Sequence, residues 1–386
     1  MRALAAVALC CAVLSGSSLA AGGESHSWAQ AQIKLVTKRS MFLGTPAAFR
    51  PQDSLTEGTL ARVVGRLTDT PAKKPRAPAT PVSMAGLDAA LVRALGLRDA
   101  AAAFYRGARA SGLKPPARFG TEVMARLLGL RLNHPVGQEN LELGPRQTAT
   151  RAEAAYSVAA ILHFQGNQGN YGGSAQGPAG QSSDGKDWSG HGEGTGDGWN
   201  PRHGRHSHDA WRSTSSATAA IGFASSWEVE GRKAQAQSFA LPKLTVWQRR
   251  VLQTAVSMIG DPYIWGGTSQ AGMDCSGFVW RVFKLTSYSG APQLSGVLKG
   301  RTTMEMSGEV PKYRRIGIKK LQPGDVLFFG NGPKSKPSEV DHAGIYLGNG
   351  WYINSSGYGV AIASLDGGHG SRFAWARRPL AEAGLH

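Results

Sequence analysis

Met273-Asp274-Cys275-Ser276-Gly277-Phe278-Val279-Trp280-Arg281-Val282-Phe283 is the stretch on which the reading of this chain turns. Phe278, Val279, Val282 and Phe283 recur at helical spacing, so a helix begins at or beside Cys275. Asp274 stands where an N-cap is needed, and the turn-rich Trp265-Gly266-Gly267-Thr268-Ser269 precedes it. A thiol at a helix N-terminus meets the positive end of the helix dipole and several free backbone N–H groups. Both favour thiolate over thiol, the form a nucleophile requires. A cysteine serving only as a small core hydrophobe gains nothing from that position.

A nucleophilic thiol also needs an imidazole within hydrogen-bond reach and a third group to orient the ring. Downstream, Asp341-His342 opens the apolar run Ala343-Gly344-Ile345-Tyr346-Leu347, which reads as a strand. Gly348-Asn349-Gly350 then turns the chain into a second strand, Trp351-Tyr352-Ile353-Asn354. Upstream, the turn Gln322-Pro323-Gly324-Asp325 feeds a further strand from Val326 to Phe329. Side chains alternate faces along a strand, so the turn length decides which residue meets His342. A two-residue turn at Asn349-Gly350 puts Ser355 beside it, whereas a three-residue loop over 348–350 sets Gly344 opposite Asn354. The sequence therefore predicts the three-residue loop, a positive φ at Gly350, and the Asn354 oxygen facing the imidazole nitrogen remote from Cys275. Helices followed by a run of strands make this unit α+β.

Tyr263-Ile264-Trp265-Gly266-Gly267, Asp274-Cys275-Ser276-Gly277-Phe278, Leu321-Gln322-Pro323-Gly324-Asp325 and His342-Ala343-Gly344-Ile345-Tyr346-Leu347-Gly348 occur in that order over the last third of the chain. Together they closely resemble the NlpC-type family of bacterial papain-like cysteine peptidases, which cut cell-wall peptides. The resemblance implies a catalytic domain over 245–386 in which helices pack on an antiparallel sheet. It implies Cys275 as nucleophile, His342 as general base and Asn354 as the third polar residue. Tyr263, with the backbone N–H of Cys275, would hold the substrate carbonyl or oxyanion, and Asp274 and Ser276 would line the pocket for the stem-peptide amine. The reaction implied is hydrolysis of the γ-D-glutamyl–diamino-acid bond of peptidoglycan stems, without a cofactor. The same thiolate chemistry also serves an N-acetylmuramoyl-L-alanine amidase or an acyltransferase. A non-catalytic wall-binding protein on the same fold is a further alternative.

The rest of the chain fits an exported wall protein. Arg2, the apolar run from Ala3 to Leu14 and Ser18-Leu19-Ala20 read as a secretory signal over 1–20. Its removal takes Cys10 and Cys11 and leaves Cys275 as the one thiol, with no internal disulfide. Residues 22–164 are helical and carry a degenerate repeat: Pro51…Thr56, Pro78…Ser83 and Pro145…Thr150 each open an amphipathic helix. Leu143 to Tyr156, containing Thr150-Arg151-Ala152-Glu153, resembles the end of an S-layer homology repeat, a family whose repeats form a helical pseudo-trimer gripping anionic wall polysaccharide. The first two repeats depart from it, with Glu57 and Thr59, and Met84 and Gly86, so a plain helical spacer or inhibitory domain stands beside polymer binding. Residues 165–220 contain no Leu, Ile, Val, Met or Phe and read as a flexible linker. His191, His203, His206 and His208 lie there without a Cys partner or helical spacing, so they read as solvated and not as metal ligands. A connecting helix is expected within 221–244. The net charge of +17 draws such a protein to polyanions, and the lack of an aromatic-basic motif argues against nucleic acid. Only one apolar run is long, which excludes a channel or transporter.

Overall fold

The computed structural model describes residues 27–134, 137–166, 226–366 and 370–386. The expected signal, and the expected linker beyond Gly166, lie outside the described residues. No helix among the described residues is long and apolar enough to cross a membrane.

The N-terminal part is all helical: α1 (Gln30–Lys38), α2 (Glu57–Leu67), α3 (Met84–Ala94), α4 (Arg98–Ala110), α5 (Phe119–Leu127) and α6 (Arg151–Gly166). Thr56, Ser83 and Thr150 cap α2, α3 and α6, each accepting a hydrogen bond from the backbone N–H three residues on. The three segments before these caps close into a ring. Leu55 N–H donates to Ala149 O (2.8 Å), Ala149 N–H to Val82 O (2.8 Å) and Val82 N–H to Leu55 O (2.9 Å). Two residues further along each segment a second ring runs in the opposite sense, where Glu57, Met84 and Arg151 donate to Thr80, Gln147 and Asp53. All three ring residues are buried, so the ring satisfies backbone groups that would otherwise be stranded away from water. Arg151 is not free for a ligand: its Nε donates to Phe49 O and its guanidinium lies 4.6 Å from the Phe49 ring centroid.

The expected connecting helix is α7 (Ser226–Ser238), and α8 (Val246–Ser257) follows under a Thr245–Gln248 capping box. Val251 and Ala255 of α8 are buried, whereas Val246, in its first turn, is 61% exposed. A short ribbon, β1 (Thr268–Ser269) with β2 (Gly272–Met273), leads into α9 (Cys275–Trp280). Then come α10 (Thr303–Gly308), the strands β3 (Val326–Phe329), β4 (His342–Gly348), β5 (Trp351–Ser356), β6 (Gly359–Ser364) and β7 (Phe373–Arg377), and a final turn of helix, α11 (Pro379–Glu382). The five strands form one sheet in the order β6-β5-β4-β3-β7, every pair antiparallel. The C-terminal part is thus α+β, as expected.

Alternation divides the sheet into two faces. Ala343, Ile345, Ile353, Val360 and Ile362 belong to one continuous apolar core that also takes in α8, α9 and the N-terminal helices. Leu327, Phe329, Tyr346 and Tyr352 form a smaller core on the other face. Phe104 of α4, Phe239 and Trp351 of β5 meet with centroids 4.9 to 5.7 Å apart, so aromatic packing joins the helical part to the sheet.

Candidate active site

Cys275 is the first residue of α9, which packs on β4, and Phe278, Val279, Val282 and Phe283 behind it are fully buried. Asp274 caps the helix, its Oδ1 accepting from Gly277 N–H and its Oδ2 from Gly266 N–H at 2.9 Å. Position 277 must be glycine, because a Cβ there would lie 2.0 Å from the Gly267 carbonyl oxygen. The cysteine sulfur sits against the entry to β4, 3.9 Å from the Asp341 carbonyl oxygen, one residue before His342.

His342 starts β4 and shares a sheet face with Gly344 and Tyr346. Gly344 lies opposite Asn354, and the His342 Nε2–H donates to Asn354 Oδ1 at 3.2 Å. Both side chains are buried, at 5% and 4% exposure, and Phe329 packs against the imidazole with centroids 5.7 Å apart. The Asn354 register is the predicted one, but the turn that sets it differs. Gly348 pairs with Trp351 across a two-residue turn, and the ladder slips between Tyr346 and Gly348. Asn349 and Gly350 have φ of +49° and +81°, the pair of positive values a type I′ turn requires. A bulge at Leu347 supplies the extra residue that a three-residue loop would have supplied.

Burial corrects the expectation of a resting thiolate. The Cys275 thiol is pushed up to about 12, first by burial and then by the Asp274 charge, against the backbone N–H groups of Ala343 and Ser276. Tyr263 lies within electrostatic reach of Cys275, and burial raises its phenol well above the ordinary tyrosine range.

Asp274 and Ser276 are 7% and 5% exposed and form one knot with a residue the sequence reading missed. Ser276 Oγ donates to Asp274 Oδ1 (2.9 Å), and Arg301 donates to Ser276 Oγ (2.7 Å), to Asp274 Oδ2 (3.2 Å) and to the carbonyls of Gly266 and Gly267 (3.1 Å each). Arg301 stands just before the capping box of α10, and no local pattern signals that it folds back over the cysteine helix. Arg372, which pairs with Asp341 beside His342, is hidden from the sequence for the same reason. No group of three or more His, Cys, Asp or Glu among the described residues could hold a metal.

Residues 260–378 match the NlpC/P60 family model. This segment is an NlpC/P60 domain. A probable endopeptidase of Mycobacterium tuberculosis is 36% identical over 113 residues, 29% of this chain and 24% of that protein. The bifunctional muramidase/DL-endopeptidase CwlT of Bacillus subtilis is 35% identical over 121 residues, 31% of this chain and 32% of its own length. The γ-D-glutamyl-L-lysine dipeptidyl-peptidase of Bacillus subtilis is 30% identical over 115 residues, 30% of this chain and 34% of its own length. The chain thus spans between 24% and 34% of the length of these relatives. Among solved structures, the NlpC/P60 domain of the peptidoglycan hydrolase SagA is 27% identical, with 34% of this chain and 97% of that one covered at a TM-score of 0.27.

Proposed function

We propose that the protein is an exported, wall-associated cysteine endopeptidase that cleaves the γ-D-glutamyl–diamino-acid bond of peptidoglycan stem peptides. The observation that carries the reading is the His342 Nε2–H to Asn354 Oδ1 bond, which orients the imidazole at the strand entry against which the Cys275 sulfur lies. The named activities of the relatives support the substrate class. The +17 charge supports residence in an anionic wall, and the closed ring of N-terminal caps supports an S-layer homology-like repeat domain.

In this mechanism Cys275 is a neutral thiol at rest, since burial opposes the isolated thiolate. Its proton passes to His342 as the sulfur attacks the γ-carbonyl of the stem peptide. The Cys275 backbone N–H and the Tyr263 hydroxyl stabilise the oxyanion, and the protonated His342 then gives its proton to the departing amine. A water deprotonated by His342 hydrolyses the thioester and regenerates the thiol. Asn354 fixes the ring tautomer and orientation throughout. Asp274 and Ser276, braced by Arg301, receive the free amine of the stem peptide.

Mass spectrometry of purified stem peptides incubated with the protein tests the bond assignment. The expected products are a fragment ending in D-glutamate and one beginning with the diamino acid, and none with Cys275→Ala. Release of intact stem peptide from muramic acid would identify an amidase instead.

A further inference from the structure

The loop that carries Tyr263 is held from two sides. On one side it is stitched to β6, with Gly260 N–H donating to Val360 O (2.9 Å) and Val360 N–H to Asp261 O (2.8 Å). On the other side the N-terminal helical part holds it. Arg118 Nη2 donates to Ile259 O (3.0 Å), Arg126 Nη2 to Gly260 O (3.1 Å), and Asn133 Nδ2 to Tyr263 O (2.7 Å). Asn133 also donates its backbone N–H to Gly357 O (2.8 Å), in the turn that ends the strand bearing Asn354. Arg126 Nε repeats that link at Tyr358 O (2.8 Å). One asparagine, some 130 residues before the site in the chain, therefore ties the tyrosine loop to the Asn354 strand.

The segment that presents Asn133 is itself fixed. The next residue, His134, lies between two buried carboxylates, with Nδ1 3.4 Å from Glu142 and Nε2 3.2 Å from Glu153, and stacks edge-on to Trp28. Three residues before Asn133, Leu130 O accepts from Ser157 Oγ of α6 at 2.8 Å. Asn133 is thus anchored to α6 and to Trp28, just before α1, on one side and reaches the catalytic loop on the other.

We infer that Asn133 is a positioning residue for catalysis, acting through Tyr263, and that the helical part completes the active site of the NlpC/P60 domain. This rests on the proposed reaction, because Asn133 touches only the backbone of Tyr263 and no reacting atom. Oxyanion donors work within a few tenths of an ångström, and a 1 Å misplacement costs up to about a hundredfold in rate. Loosening the Tyr263 carbonyl lets the hydroxyl drift from the place where the oxyanion forms, while leaving Cys275 and His342 where they are.

A double-mutant cycle in the full chain tests this, with kcat and KM measured on a synthetic stem peptide. Asn133→Ala is expected to lower kcat about tenfold with KM within about twofold, the signature of an interaction made in the transition state. Asn133→Asp sets a carboxylate oxygen against the Tyr263 carbonyl and should lose more. In a Tyr263→Phe background neither substitution should cost anything further. Alkylation of Cys275 by iodoacetamide and the Tm should match the wild type in both single variants, separating positioning from unfolding. Full activity in Asn133→Ala and Asn133→Asp overturns the inference, as does a loss that simply adds to that of Tyr263→Phe. A wild type inert toward stem peptides overturns the proposed reaction and this inference with it.

Discussion

At the residue scale, Cys275 is governed by two opposed effects. Desolvation and the Asp274 carboxylate hold the thiol protonated, and the backbone N–H groups of Ala343 in β4 and Ser276 in α9 do not reverse that. In the proposed mechanism the imidazole therefore takes the proton during attack. Deleting it should leave only the burial-raised thiol, whose thiolate population falls tenfold for each pH unit below its pKa. In His342→Ala, iodoacetamide alkylation of Cys275 should be slow at pH 7 and should climb steadily with pH into the strongly alkaline range. The wild type should instead react at neutral pH with a shallow dependence. Equal profiles for the two proteins would remove His342 from the role of base. Turnover of stem peptide by the same variant should fall by about 10² to 10⁴, the usual worth of a positioned general base.

At the element scale, the β4–β5 hairpin delivers Asn354 to His342, and it does so through a two-residue turn and a bulge together. Gly350 has φ +81°, and a Cβ there would meet only Asp366 Oδ2 at an ordinary 3.6 Å. A side chain at this position is thus opposed by backbone strain and by little else. Gly350→Ala should destabilise the protein by about 1–2 kcal/mol, the cost of placing an L-residue in the left-handed region. Gly296→Ala, where a Cβ meets nothing within 4 Å and φ is not positive, should be nearly neutral in the same urea titration. Equal midpoints for the two variants would show that the turn tolerates another conformation.

At the scale of the whole molecule, one apolar core runs from the N-terminal helices through α8 and α9 to the sheet. Phe104, Phe239 and Trp351 lie at the junction, and fully burying a side chain of this size is worth about 1.5–3 kcal/mol. The segment 245–386 expressed alone should therefore unfold at a clearly lower temperature than the full chain. An unchanged Tm by calorimetry would show that the helical part contributes nothing to the stability of the NlpC/P60 domain.

The sequence by itself determined the helix that begins at Cys275, the strands carrying His342 and Asn354, and the three capped helices of the N-terminal repeat. Each of these rests on short-range rules: apolar spacing, a capping side chain, a glycine turn. The α+β class of the C-terminal part follows from the order of those elements. Only the tertiary structure decided the rest. Strand parity demanded one extra residue between His342 and Asn354, and packing placed it in the ladder at Leu347 and not in the turn, which parity alone does not distinguish. Burial of Cys275 outweighed the local field of its helix, because desolvation depends on what covers the sulfur and not on its sequence neighbours. Arg301 and Asn133 reach the site across 27 and 130 residues of chain, and a contact at that separation is set by how the elements pack, which local periodicity does not encode.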